Sequence, residues 1–184
     1  FRRVLFRSQG LKIVAPSKAA SQLEGSKQWA KSVMKKYGVP TADYEVFTSY
    51  EPAISYLNKK DTYPIVIKAD GLAAGKGVTV AFSKDEADQA LKECFIDQRF
   101  ADAGSRVVIE DFLQGEEASI FAFVDDNAVL PMVPAQDHKA VYDGDKGPNT
   151  GGMGSYAPAP LVTPEVQQRV RSEEHTSELQ SPDH

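Results

Sequence analysis

Residues 68–81 read KADGLAAGKGVTVA, and their reading decides the fold. A phosphate loop of the G-x-x-x-x-G-K-[ST] kind joins a strand to a helix. Here Asp70 stands where the first glycine should be and Gly77 where Ser or Thr should be, and GVTVAFS (77–83) has strand character where a helix should begin. Those three mismatches exclude a Walker loop. YPIVIKAD (63–70) precedes it as an apolar run that predicts a buried strand. Strand, glycine loop, strand predicts an antiparallel hairpin whose tip is Asp70 to Gly77. Gly71, Gly75 and Gly77 carry no side chains, so the backbone can lie against polyphosphate and offer N–H donors. Lys68 can add a charge at the strand end. A plain glycine-rich turn with Lys68 in solvent reads the same residues equally well.

Working outward, a serine cap opens the next element. Ser83 with Glu86 three residues on is a capping box, predicting a helix to about Phe95. RVVIEDFL (106–113), EASIFAFVDD (117–126) and AVLPMVPA (128–135) read as strands, the last two joined at Asp126-Asn127. Upstream, LKIVAP (11–16) predicts a buried strand. Ser17 to Tyr37 predicts one helix with Leu23, Trp29, Val33 and Met34 on its apolar face, ended by Gly38 and Pro40. DYEVFTS (43–49) predicts a strand and Glu51 to Lys60 a short helix. YDGDKGPNTGGMGSY (142–156) is rich in turn formers and predicts a loop. Short connections after residue 106 point to an α+β fold with antiparallel pairing.

Composition bounds the function. The chain has 184 residues, 41% hydrophobic and 26% charged, as in ordinary globular proteins. A net charge of −5 argues against nucleic acid or an anionic membrane as the main partner. One cysteine, Cys94, allows no intrachain disulfide and suits a reducing, cytoplasmic setting. No apolar run approaches the roughly 18 residues of a membrane span, and no signal peptide is present. The ends differ in character. RVLFRS (3–8) and RSEEHTSELQS (171–181) resemble translated sequencing-adapter DNA, so 1–8 and 171–184 are expected to be non-native.

A second motif, VVIEDFLQGEEAS (107–119), suits adenosine. Phe112 and Leu113 can give apolar contact and backbone groups to an adenine edge, and Glu110 and Glu117 can accept from its amino group and from ribose hydroxyls. A solvated acidic turn is the alternative.

With QDHKAVYDGDKGPNTGGMGSYAPAP (136–160) as a third motif, the chain resembles the ATP-grasp domain of glycinamide ribonucleotide synthetases across nearly all of residues 11–170. LEGSKQWAKSVMKKYGVPTA (23–42) is similar to the segment that enters that domain. The resemblance implies a partial ATP-grasp domain at 21–170 with an antiparallel lid at about 46–116, preceded by the end of an N-terminal domain at 9–20. It implies an ATP-dependent ligase of purine synthesis that joins glycine to 5-phosphoribosylamine through a glycyl phosphate. Lys27, Lys68 and the loop Asp70, Gly71, Leu72, Ala73, Ala74, Gly75, Lys76 and Gly77 would hold the phosphates. Glu110, Phe112, Leu113 and Glu117 would hold adenosine. Asp137, His138 and Lys139, with Asn149, Thr150, Gly151, Gly152, Met153 and Gly154, would lie near glycine and phosphoribosylamine. The family's Mg or Mn ligands are expected in a later segment, so no metal ligand and no side-chain nucleophile is assigned here, and the piece alone is expected not to turn over. Another ATP-grasp ligase and a non-catalytic nucleotide-binding module are the rival readings.

Overall fold

The computed structural model describes residues 8–12, 15–71, 73, 77–125, 127–144 and 146–170. Its centre is a four-stranded antiparallel sheet of order β1-β4-β2-β3, with β1 Tyr44–Phe47, β2 Ile65–Ala69, β3 Val78–Ala81 and β4 Val107–Asp111. Alternation along β2 sends Ile65, Ile67 and Ala69 to one face, where they are buried, and Val66 and Lys68 to the other. The first face joins Val107 and Ile109 of β4 and is covered by α3 (Tyr50–Leu57) and α4 (Lys84–Phe95), which contribute Ala53, Leu57, Ala87, Leu91 and Cys94 to one core.

The glycine segment connects β2 to β3 as the hairpin reading requires. Lys68 pairs with Val78 in register, and the Ala69 N–H donates to the Gly77 carbonyl at 2.8 Å. A strand, not a helix, comes after Gly77. A variant of the expected capping box opens α4, its glutamate reaching one residue past the cap. Ser83 accepts from the Glu86 N–H at 3.2 Å, and the Glu86 carboxylate accepts from the Phe82 N–H at 2.8 Å.

Upstream the sequence expectation fails in two places. The helix expected over 17–37 is two, α1 (Gln22–Gly25) and α2 (Lys27–Tyr37), because Ser26 is extended (φ −142°, ψ 118°) and caps α2 through the Trp29 N–H. Leu23 and Trp29 are each 47% exposed, so the expected apolar face is not buried there. Gly38 does end α2, in the left-handed conformation at φ 69°. At 11–16, Leu11 and Lys12 form no strand and are exposed; Ile13 and Val14 lie outside the described residues.

Beyond β4 the chain forms two ribbons. β5 (Ala122–Val124) and β6 (Val129–Pro131) pair as a hairpin at the expected place but are shorter than the expected 117–126 and 128–135, around a turn in which Asp125 Oδ1 accepts from the Asn127 and Ala128 N–H groups; Asp126 lies outside the described residues. The expected loop at 142–156 is instead mostly strand. β8 (Lys146–Tyr156) pairs with β7 (Gln136–Tyr142), with register shifts between His138 and Ala140 and between Ala140 and Tyr142. Glycine composition signals turns, but the bulges and the positive φ of Gly147 (87°) and Gly154 (156°) absorb it inside the ribbon. His138 is therefore a strand residue, opposite Gly154.

Candidate functional site

The face of the sheet away from α3 and α4 carries charge. Lys68 sits opposite Val108 and Glu110 opposite Val66, so Lys68 and Glu110 are diagonal neighbours on one face of the β2–β4 pair. Glu110 is 5% exposed and forms ion pairs through both oxygens, to Lys68 and to Lys31 of α2. Lys31 is itself buried. Its ammonium also donates to Thr41 Oγ1 at 2.7 Å and to the Ala42 carbonyl at 3.1 Å. Two ammonium groups thus offset one buried carboxylate, and Lys31 has neutral acceptors besides.

Lys27 stands one turn before Lys31 and donates to the Gly71 carbonyl at 3.1 Å. Burial lowers its pKa from the ordinary lysine value; Asp70 opposes that shift and the nearby Lys68 charge adds to it. Arg106, just before β4, pairs with Asp70 at 3.2 Å. Thus Lys27, Lys31, Lys68 and Arg106 gather around two buried carboxylates, Asp70 and Glu110. The imbalance of charge, next to a hairpin tip, makes this face attractive to a polyanion.

The glycines have a packing reason of their own. A Cβ on Gly71 would stand 2.9 Å from Ala103 Cα and Cβ, in the 3₁₀ turn Ala101–Ser105. A Cβ on Gly77 would stand 2.7 Å from Ala73 Cβ and 3.0 Å from Ala69 Cβ. Both glycines let the hairpin close on its own neighbours. Leu72, Ala74, Gly75 and Lys76 lie outside the described residues.

Past β4, Phe112 is 40% and Leu113 70% exposed, free to contact a ligand. Glu117 is ion-paired with Lys139, which lies 4.0 Å from Asp137 Oδ2. The fold thereby joins one residue of the adenosine set to two of the glycine and phosphoribosylamine set. Thr150 Oγ1 donates to the Lys139 carbonyl at 3.0 Å across the β7–β8 ribbon. The His138 ring lies 5.8 Å from the Tyr156 ring, centroid to centroid. Asn149 sits opposite Ala140, and Gly151, Gly152, Met153 and Gly154 run along β8, Met153 being exposed.

Sequence reasoning missed Lys31, the buried partner of Glu110. The available signal was its spacing: Lys27 and Lys31 are four apart in one helix and so share a face. Among the described residues no group of three or more His, Cys, Asp or Glu side chains is placed to hold a metal ion.

Comparison with known proteins gives the family and the fold. Residues 25–180 match the family model for the phosphoribosylglycinamide synthetase ATP-grasp (A) domain. The chain is 58% identical over 168 residues to the phosphoribosylamine–glycine ligase of Neisseria meningitidis, covering 91% of this chain and 40% of that protein. It is 58% identical over 169 residues to the same-named ligase of Pseudomonas aeruginosa, covering 92% and 39%. Of solved structures, the phosphoribosylamine–glycine ligase of Thermotoga maritima superposes with a TM-score of 0.77 at 39% identity, covering 89% of this chain and 41% of that one. D-alanyl-alanine synthetase A of Vibrio cholerae superposes with a TM-score of 0.71 at 14% identity, a likeness of fold alone, covering 96% and 53%. The chain spans about 40% of the length of the curated relatives it matches.

Proposed function

Since this chain belongs to the phosphoribosylglycinamide synthetase family through its ATP-grasp domain, we propose that it forms the phosphate-holding part of an ATP-dependent ligase that joins glycine to 5-phosphoribosylamine. The observation that carries this reading is the convergence of Lys27, Lys31 and Lys68 on Glu110 and the base of the glycine hairpin. Phosphoryl transfer depends on positioning and positive charge rather than on a protein nucleophile, and the site offers that charge. Lys27 has already lost part of its hydration, so less is lost when it meets a phosphate oxygen. Lys68 and Lys31 would exchange Glu110 for, or share it with, the incoming phosphates. Glu110, Phe112, Leu113 and Glu117 would line the adenosine end. Asp137, His138, Lys139 and the 149–154 stretch would approach glycine and phosphoribosylamine, with the Glu117–Lys139 pair holding the two ends at a fixed distance.

The carboxylate of glycine would be activated as an acyl phosphate, which water destroys readily, so a hairpin that closes over the site would protect it. The family's use of ATP implies a divalent metal, Mg or Mn. The described residues do not supply a set of ligands for one. The setting we infer is cytoplasmic; no described helix is long and apolar enough to cross a membrane.

The test is turnover by the full-length protein that carries this chain. Phosphate release that requires ATP, glycine and 5-phosphoribosylamine together supports the reading. Phosphate release supported equally well by bicarbonate or by D-alanine in place of glycine would contradict it.

A further inference from the structure

Asp70 opens the glycine hairpin, where a carboxylate is out of place. It is acceptor-only and negative, so turned toward polyphosphate it would repel the ligand. The fold turns it the other way. Asp70 is 7% exposed, and both of its carboxylate oxygens lie 3.1 Å from the Ser26 hydroxyl. Oδ1 also accepts from the Gln28 N–H at 2.7 Å, and Oδ2 from Arg106 at 3.2 Å. The backbone takes part as well: the Asp70 carbonyl accepts from the Lys27 N–H at 3.3 Å, and the Asp70 N–H donates to the Arg106 carbonyl at 2.9 Å.

The first N–H groups of a helix have no partner within it. In α2 the first belongs to Lys27 and goes to the Asp70 carbonyl, the second to Gln28 and goes to the Asp70 carboxylate, and the third to Trp29 and goes to Ser26 Oγ at 3.1 Å. The local cap is Ser26. Asp70 is a second cap from a distant part of the chain, and its charge meets the positive end of the helix. A local cap would serve the helix alone. A remote one fixes where the helix stands on the sheet.

One turn further along α2, Lys31 reaches Glu110, and Glu110 also holds Lys68, two residues before Asp70 on β2. The contacts close a ring: Asp70, the α2 N-terminus, Lys31, Glu110, Lys68 and back along β2 to Asp70. Without the Asp70 bonds the ring is open at the start of α2, and the spacing of Lys31 and Lys68 rests on Glu110, Thr41 and Ala42 alone.

We propose that Asp70 is a positioning residue that acts on the nucleotide through Lys31, setting the spacing of the Lys31 and Lys68 charges while its own carboxylate stays off the phosphates. This rests on the reading of the site as a phosphate-holding one. The test is a double-mutant cycle in the full-length protein, with the dissociation constant for ATP measured by titration calorimetry. Asp70→Asn keeps the shape, removes the charge and replaces one acceptor oxygen with an NH2 donor, so the side chain can no longer accept from both Gln28 and Arg106. It should weaken ATP binding roughly tenfold in the parent background, a size usual for residues in one charge network. In a Lys31→Met background it should weaken binding by less than about twofold, because the residue it acts through is gone. Ser26→Ala, which leaves every charge in place but removes both a donor to the same carboxylate and the local cap of α2, should repeat the pattern with a smaller loss; it keeps the test open should the Asp70 variant fail to fold. Equal losses in both backgrounds, or no loss in either, would overturn the inference. Absence of ATP binding by the parent protein would overturn the reading beneath it as well.

Discussion

Two regions of this chain treat apolar side chains in opposite ways. From Ala53 to Ile109 the sheet and its two helices close a core of their own, with Leu57, Ile65, Ile67, Leu91, Val107 and Ile109 all at most 2% exposed. From Phe121 onward, Phe123, Val124, Leu130 and Val133 are each more than half exposed, although they lie in or beside a paired ribbon. Pairing satisfies the backbone in both regions. Among the described residues only the first has a second layer to cover its apolar face, and a two-stranded ribbon cannot make one from itself. The lesson is that the charged face is built on the layered part, while the 137–154 residues lie in a separate two-stranded ribbon, β7–β8. Nucleotide-phosphate contacts and substrate contacts should therefore depend on this chain to different degrees.

The largest expected effect comes from that split. The purified 184-residue chain should release no phosphate in response to glycine and 5-phosphoribosylamine, with or without magnesium, in a phosphate-release assay. Substrate-dependent release would show that the ribbons are sufficient as they stand.

Next in size is a paired substitution. Leu91→Ala, at a fully buried position, should cost about 2–5 kcal/mol by denaturant unfolding. Leu130→Ala, 65% exposed in β6, should change stability by less than about 0.5 kcal/mol. Similar costs at both would erase the contrast between the regions.

A pH measurement sharpens the same contrast from inside the core. Burial pushes the Cys94 thiol from about 9.0 up to about 11. A raised value means that the stability gained by keeping the thiol neutral is fully present below about pH 9 and is lost as pH rises toward 11. At pH 8 the folded chain should be alkylated about a hundredfold more slowly than the unfolded one, because the thiolate is the reactive form. Equal rates would mean that the α4 face opens freely.

Much of the layered region could be read from the sequence because its signals are local. Alternation in IVIKA, the glycines after it and the Ser83–Glu86 box each sit within a few residues of the element they specify. The ribbon at 146–156 could not be read that way, since its strand character comes from a partner, β7, and not from GPNTGG itself. Lys31 was missed for a related reason. A lysine on a helix face is usually solvated, and what buries this one is Glu110, far along the chain. Asp70 stands at the start of the hairpin, but the sequence reading sets it among the phosphate-holding residues; its carboxylate meets Ser26, Gln28 and Arg106, a direction invisible without the fold.

The central claim is that Lys68 and its neighbours hold nucleotide phosphate, and one substitution tests it most directly. Lys68→Ala in the full-length protein should weaken ATP binding by about ten- to a hundredfold in titration calorimetry, the worth of one charge-assisted hydrogen bond of roughly 1.5–3 kcal/mol, with the unfolding transition retained. An unchanged dissociation constant would show that Lys68 serves only Glu110 and that the phosphates lie elsewhere.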